Sequence, residues 1–197
     1  TGASDLEGSI TTSGTQDYEG AITLTDNTTL VSGDQITFDT TVNSEGSETN
    51  NLTVTATELQ VDGIIGGTQT LGAISITGIL DLNAAISNAT SLSVSSTSNL
   101  GADVTTSSTQ TYTSGVTLSG GNRTLTASIV NFGSTLAGGT NGLTITGNLD
   151  LDGAATGLST LEVSGTSNLG ADVTTSSTQT YSGAVTLSTD VTLTTTD

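Results

Sequence analysis

The chain repeats itself. Residues Thr97–Tyr112 (TSNLGADVTTSSTQTY) recur unchanged at Thr166–Tyr181, which is an offset of 69 residues. A more diverged copy opens the chain, where Thr15–Tyr18 resembles Thr109–Tyr112 at an offset of 94, longer by about one small unit. Self-similarity at a fixed period is typical of stacked units that cannot bury their apolar faces alone. We therefore predict a single repeat segment over residues 1–197, with a diverged copy at about 10–70 and copies at about 71–139 and 140–197.

The composition favours β-structure in each unit. Thr and Ser make up more than a third of the chain, which contains no Pro, Cys, Met or Trp. These hydroxyl residues compete with helical hydrogen bonds, whereas Val, Ile and Thr suit a pleated surface. Apolar residues alternate with polar ones in short triplets: Ile22-Thr23-Leu24, Leu52-Thr53-Val54, Val116-Thr117-Leu118, Leu143-Thr144-Ile145 and Val191-Thr192-Leu193. This period of two predicts strands with one buried and one wet face.

Triplets separated by Gly, Asn, Asp or Ser predict an all-β parallel β-helix, or β-solenoid. Within one repeat we place equivalent triplets at Ile74, Leu92 and Val116 before the next repeat begins at Leu143. Three coils in 69 residues give about 23 residues per coil and roughly eight to nine coils in the chain. At roughly 4.8 Å per strand spacing, the rod would be about 40 Å long.

Disorder is the main alternative to this fold. A chain with 32% hydrophobic residues and a net charge of −18 has the composition of many disordered linkers. Disordered chains, however, do not keep strand alternation and an internal period. In a solenoid each coil needs only a thin column of apolar residues, because its neighbours supply the backbone hydrogen bonds.

The charge limits the partners. Nineteen acidic residues stand against one basic residue, so nucleic acid is excluded and an anionic membrane surface is repelled. No apolar run reaches the roughly 18 residues needed to cross a bilayer, so we expect no membrane insertion. Positive surfaces, divalent ions and host or environmental glycans remain possible partners.

The ends of the sequence carry no visible cap. The chain begins at Thr1-Gly2 without Met and ends inside a repeat, so we expect a processed product or a segment of a longer protein. The terminal coils of a solenoid expose strand edges that soluble proteins normally cover. We therefore expect a rod uncapped at both ends, whose partners are copies of itself or adjacent repeats of the same chain.

The side chains available for chemistry are few. With no His, Cys or Lys, catalytic triads, cysteine nucleophiles, Schiff bases and soft-metal sites cannot be built. A carboxylate pair could hydrolyse glycosides across a cleft. Asp150 and Asp152, however, would both point out from one flat face, and Arg123, the single basic residue, lies in a Gly-rich turn. We predict that the chain is not an enzyme and has no catalytic or cofactor-binding residue.

A calcium site is the other chemical possibility. The repeated acids Asp81 and Asp150, like Asp103 and Asp172, would lie about three coils apart and could not share an ion. The densest acidic stretch, Asp39 to Glu48, is typical of a solvated loop. We predict no metal site and no cofactor.

The aromatic residues repeat at fixed slots. Tyr18, Tyr112 and Tyr181 share one slot, and Phe38 and Phe132 share another. Such residues could stack on sugars, but repetition at a structural slot favours packing in the core or at a coil corner.

Outward Thr residues offer the remaining candidate surface, at Thr23, Thr53, Thr117, Thr144, Thr186 and Thr192. They could form ladders like those of ice-binding solenoids, but outward Thr is also what a wet β-face prefers. Four Asn-x-Thr sequons, at Asn27, Asn51, Asn88 and Asn122, are expected by chance in a chain this rich in Thr and Asn.

Three segments resemble the tandem repeats of giant filamentous-haemagglutinin-like surface proteins of Gram-negative bacteria: Thr178–Leu187 (TQTYSGAVTL), Ile129–Leu136 (IVNFGSTL) and Leu158–Gly165 (LSTLEVSG). The resemblance covers nearly the whole chain and is weakest at residues 43–67, where we expect an additional coil. It implies a secreted right-handed β-helix in a very long adhesin or surface fibre, and it carries over no site residue.

These features together predict an extracellular structural protein of the bacterial cell surface. The chain would be a repeat segment of a filament or adhesin stalk, acting as a stiff, self-stacking scaffold for attachment or for a biofilm matrix. The alternative is a solenoid that binds ice or glycans through outward Thr ladders.

Overall fold

The computed structural model describes residues 2–196 and is entirely β, with no helix among those residues. All the strand pairs are parallel, as a solenoid requires. The strands are β1 (Ser4–Thr12), β2 (Gln16–Tyr18), β3 (Ile22–Ser32), β4 (Gln35–Phe38), β5 (Val42–Ser44), β6 (Leu52–Val61), β7 (Leu71–Leu82), β8 (Ile86–Val94), β9 (Ser98–Leu100), β10 (Val104–Thr106), β11 (Thr109–Tyr112), β12 (Val116–Leu118), β13 (Arg123–Phe132), β14 (Leu136–Ala137), β15 (Leu143–Leu151), β16 (Ala155–Leu158), β17 (Leu161–Val163), β18 (Ser167–Leu169), β19 (Val173–Thr175), β20 (Gln179–Tyr181), β21 (Val185–Leu187) and β22 (Leu193–Thr195). The predicted parallel β-solenoid is confirmed.

Each turn of the solenoid has three faces, which can be followed as columns of paired residues. Face 1 is the column Ile22, Val42, Ile65, Ile86, Val104, Leu125, Ile145, Val163 and Tyr181. Face 2 is the column Gly8, Thr28, Leu52, Ile74, Leu92, Gln110, Val130, Leu149, Ser167 and Val185. Face 3 is the column Gln16, Ile36, Leu59, Leu80, Ser98, Val116, Leu136, Ala155, Val173 and Leu193.

The number of turns differs from the prediction. The rod has about 10 turns spaced roughly 20 residues apart, not eight to nine turns of about 23 residues. The reason lies in the four triplets used for counting. Ile74 and Leu92 are neighbours on face 2, but Val116 belongs to face 3, and Leu143 lies in β15 on the face 1 side. Equivalent-looking triplets therefore occupy different faces, and counting them underestimates the turns.

The repeat does not contain a whole number of turns. From Ser98 the face 3 column passes through Val116 and Leu136 to Ala155, three turns on. Two further faces then lead to Ser167, the equivalent of Ser98, on face 2. The offset of 69 thus spans three and two-thirds turns, and each copy is rotated by a third of a turn. The offset of 94, from Gln16 to Gln110, spans four and two-thirds turns, which is one turn more than the offset of 69. This agrees with the additional small unit that the sequence predicted.

The core is a stack of inward-facing columns. Leu, Ile and Val fill most positions, and Phe38, Tyr112 and Phe132 are among the largest fully buried side chains. The rings of Tyr112 and Phe132 lie one turn apart and stack with their centroids 5.5 Å apart, while Tyr18 and Phe38 meet at 5.7 Å. The predicted packing in the core or at a coil corner is confirmed: Phe38, Tyr112 and Phe132 are buried in the core, and Tyr18 packs against it partly buried.

Glycine is required at one repeated corner. Gly78 and Gly147 are equivalent in the repeat and have φ angles of 138° and 137°, which L side chains rarely adopt. A Cβ at Gly147 would lie 1.8 Å from the carbonyl oxygen of Ala127 in the turn before. The corner therefore needs both the conformational freedom of glycine and its missing side chain.

The acidic stretch Asp39 to Glu48 is only partly a loop. It contains β5, whose Val42 and Ser44 are buried and pair with β3. The exposed parts are Asp39, before the strand, and the turn after β5, where Ser47 has a φ of 76°. The prediction of a solvated loop was wrong for the strand, because its alternating residues join the column of face 1.

Candidate functional surface

Residues 2–196 contain no group of three or more acidic side chains placed to hold a metal ion. Two shallow surface depressions have volumes of about 130 and 220 Å³. The larger one is lined in part by Asn148, Asp150 and Asn168. Asp150 points out from face 2, and Asp152 is exposed at the corner that follows. The structure thus presents flat outward faces, and these are its candidate functional surface.

The Gln of each Thr-Gln-x-Tyr copy binds backbone across a corner. The side chain of Gln110 is fully buried, and its Nε2 donates to the carbonyl oxygens of Val104 at 3.1 Å and Thr126 at 2.9 Å. These two carbonyls lie on face 1 in successive turns, so one side chain ties two turns together. The Tyr112 hydroxyl donates to Gln110 Oε1 at 3.3 Å. Burial raises the pKa of Tyr112, which keeps this phenol protonated as a donor.

The other two copies form the same bonds on the other faces. Gln16 Nε2 donates to Val31 O at 2.8 Å, and Gln179 Nε2 donates to Thr194 O at 2.9 Å. The hydroxyls of Tyr18 and Tyr181 donate to the Gln Oε1 of their own copies at 2.9 and 3.1 Å. Sequence reasoning noticed the Tyr slot but missed the Gln, although the repeated Thr-Gln-x-Tyr was the available signal.

The single basic side chain is structural. Arg123 donates to the carbonyl oxygens of Gly101 at 2.6 Å, Gly121 at 3.1 Å and Gly120 at 3.3 Å. Its Nη1 also lies 3.9 Å from Asp103 Oδ1. The guanidinium therefore links its own Gly-rich loop to Gly101 in the preceding turn of the solenoid.

The repeated acids cap or pair within the rod. Asp103 Oδ1 accepts the backbone N–H of Thr124 at 2.9 Å, and Asp172 Oδ1 accepts that of Thr192 at 2.7 Å, each from the next turn. Asn99 Nδ2 donates to Asp81 Oδ1, and Asn168 Nδ2 donates to Asp150 Oδ1, both at 2.8 Å. Members of each repeated pair of acids lie three and two-thirds turns apart on different faces, rather than the predicted distance of about three coils.

Carboxylates crowd one corner of the first turns. Partial desolvation and then the charges of Asp17, Asp62 and Glu19 raise the pKa of Asp39. Successive turns are only about 4.8 Å apart along the rod, so the neighbouring carboxylates disfavour ionisation of Asp39. More than half of the acidic residues lie in the first three turns, which makes this end of the rod the more negative.

The six predicted Thr residues do not share a face. Thr23 and Thr144 lie on the face 1 side, Thr53 and Thr186 on face 2, and Thr117 on face 3. Thr192 comes just before β22, which pairs into face 3. The structure therefore does not bring these six residues together as one ladder.

A different polar ladder runs along face 2. Its middle outward column consists of Ser9, Thr29, Thr53, Ser75, Ser93, Thr111, Asn131, Asp150, Asn168 and Thr186. Nine of these ten side chains are uncharged, and Asp150, the exception, pairs with Asn168. The register of the strands, not the triplet pattern, creates this column.

The four sequon asparagines are exposed and lie near the corners where one face of the rod leads to the next. Asn27, Asn51 and Asn122 accept backbone N–H groups of the next turn through Oδ1 at 2.7 to 2.8 Å, and Asn88 Nδ2 donates to Gly66 O at 3.0 Å. These asparagines therefore have a role in linking turns.

Comparison with known proteins gives no relative. No family model, curated protein or solved structure matches the chain. The resemblance to filamentous-haemagglutinin-like repeats therefore stays a prediction. Residues 2–196 contain no helix with the length and apolarity needed to span a membrane.

Proposed function

We propose that this chain is a structural repeat segment of an extracellular filament or adhesin stalk, and that it acts as a stiff scaffold. Copies of the segment, or adjacent repeats of the same chain, would stack end to end. The observation that supports the proposal is that three columns of parallel pairs continue from turn to turn through about 10 turns. A rod of this kind gains stability with every turn added, because each new turn covers the apolar column of the last.

The last turn shows what another turn would cover. Val185, Leu187 and Leu193 are 41%, 54% and 47% exposed, whereas Leu169 and Val173, one turn earlier in the same columns, are fully buried. The strands of this turn also present one edge for further parallel pairing. A second copy, or an adjacent repeat of the same chain, fits this surface by the same pairing that joins the internal turns.

End-to-end stacking is tested by small-angle X-ray scattering over a concentration series. We expect the length of the particle to grow with concentration while its cross-section stays constant. The variant Leu187→Asp/Leu193→Asp should stay short, because two carboxylates would then lie in the contact. If the unaltered chain stays monomeric at every concentration, end-to-end stacking is wrong, and a covalent array of repeats becomes the better proposal.

The extracellular location and adhesive role rest on the resemblance and on the acidic, hydroxyl-rich surface. The ice-binding alternative predicts thermal hysteresis in solutions of the purified chain. We expect none, and a clear hysteresis would place the ice-binding function ahead of the scaffold. Binding to glycan arrays tests the second form of that alternative in the same way.

A further inference from the structure

Face 2 carries a long patch without charge. We define the neutral patch as the outward positions of face 2 in turns two to seven, each of which is exposed or partly exposed. Its rows are Asn27, Thr29 and Val31; Asn51, Thr53 and Thr55; Ala73, Ser75 and Thr77; Ser91, Ser93 and Ser95; Thr109, Thr111 and Thr113; and Ile129, Asn131 and Gly133. No carboxylate lies in these rows, although the chain has a net charge of −18.

From this patch we infer that two copies of the chain associate side by side, with face 2 of one against face 2 of the other. Two rods of equal negative charge repel, and contact through a face that bears carboxylates would place like charges close together. The neutral patch removes that cost over six turns. The bordering acidic residues, such as Asp26 and Asp150, remain outside these rows.

The chemistry of the patch is self-complementary. A Ser or Thr hydroxyl donates one hydrogen bond and accepts two, so a hydroxyl-lined face can satisfy a copy of itself. A carboxylate face, which only accepts, cannot do so. A two-fold contact brings the same patch of both subunits together, and two flat faces need no groove in order to meet.

The size of the patch predicts a weak contact. Six turns at about 4.8 Å and about five residues at 3.3 Å per residue give a face of roughly 29 by 16 Å. Two such faces would bury about 900 Å² in total, which is below the roughly 1,200 Å² of a stable complex. We therefore expect a reversible dimer whose population rises with concentration.

The experiment measures the cross-section of the rod, which separates this inference from end-to-end stacking. Small-angle X-ray scattering of Leu187→Asp/Leu193→Asp, whose end contact is blocked, should show a cross-sectional radius that increases with protein concentration. Added salt should favour the increase, because it screens the repulsion between the rods. The inference does not depend on the rod ends, so it can fail while end-to-end stacking holds, and the reverse is equally possible.

Matched charge variants identify the face. In the Leu187→Asp/Leu193→Asp background, Thr53→Asp/Ser93→Asp places two carboxylates in the middle of the neutral patch, two turns apart. Thr117→Asp/Thr156→Asp places the same charges two turns apart on face 3. We expect the first pair to abolish the growth in cross-section and the second pair to preserve it, with circular dichroism checking that both variants remain folded.

Two results would overturn the inference. One is a cross-section that does not change with concentration or salt, a measurement that needs no face variant. The other is a cross-section that grows equally in both variants, because the contact would then lie on another face.

Discussion

Replacing Gln110 with Leu tests whether the repeated Gln holds the corners together. The substitution keeps the volume but removes the donors to the carbonyls of Val104 and Thr126, and the acceptor of the Tyr112 hydroxyl. Leaving a buried polar group unpaired costs about 1–3 kcal/mol. Each carbonyl oxygen can still accept a backbone hydrogen bond of the strand ladder through its other lone pair. The cost of leaving each carbonyl without Gln110 should therefore lie in the lower part of that range. The summed loss in the free energy of unfolding should be about 2–4 kcal/mol.

The duplicated block supplies a matched control. Gln179 has the same sequence neighbours and donates to Val173 and Thr194 in the same way, but it is only partly buried in the last turns. Water can replace those bonds, so Gln179→Leu should cost less than about 1 kcal/mol. Urea unfolding followed by circular dichroism measures both variants, and hydrogen exchange of the amides near Thr126 would show whether the loss is local. Equal losses for Gln110→Leu and Gln179→Leu would refute the argument from burial.

Three further predictions follow from the corners and the core. Gly147→Ala should destabilise the rod by about 2–4 kcal/mol, because its Cβ would collide with the Ala127 carbonyl, whereas Gly46→Ala, in open space, should be nearly neutral in urea unfolding. Ser98→Ala should leave the unfolding free energy unchanged or raise it by up to about 1 kcal/mol, since the buried Ser98 hydroxyl has no partner within residues 2–196; a clear loss in thermal denaturation would reveal a partner. The raised pKa of Asp39 means that the folded state binds a proton more readily than the unfolded chain, so its contribution to stability should be fully present below its ordinary value of 3.8 and be lost as pH rises through the raised value; urea midpoints should therefore fall less between acidic and neutral pH in Asp39→Asn.

The sequence by itself determined the class of fold. An unchanged block at Thr97–Tyr112 and Thr166–Tyr181 required repeated units, and the alternation in segments such as Val116–Leu118 required strands with one buried side. The alternation is a local signal, since it depends on which residues lie two positions apart, and the duplication is visible by comparing the chain with itself. They were enough to predict a parallel solenoid.

Only the tertiary structure decided how those strands are arranged around the axis. The lengths of the corners set the register, and they place Ser98 on face 3 but its copy Ser167 on face 2. No local pattern reports that rotation, because both copies have identical neighbours along the chain. The same register assembled the neutral patch from residues of six turns and sent the six predicted Thr residues to three sides. The alternation within a strand determines which of its residues are buried. The combined lengths of the preceding corners determine which strands lie on the same face.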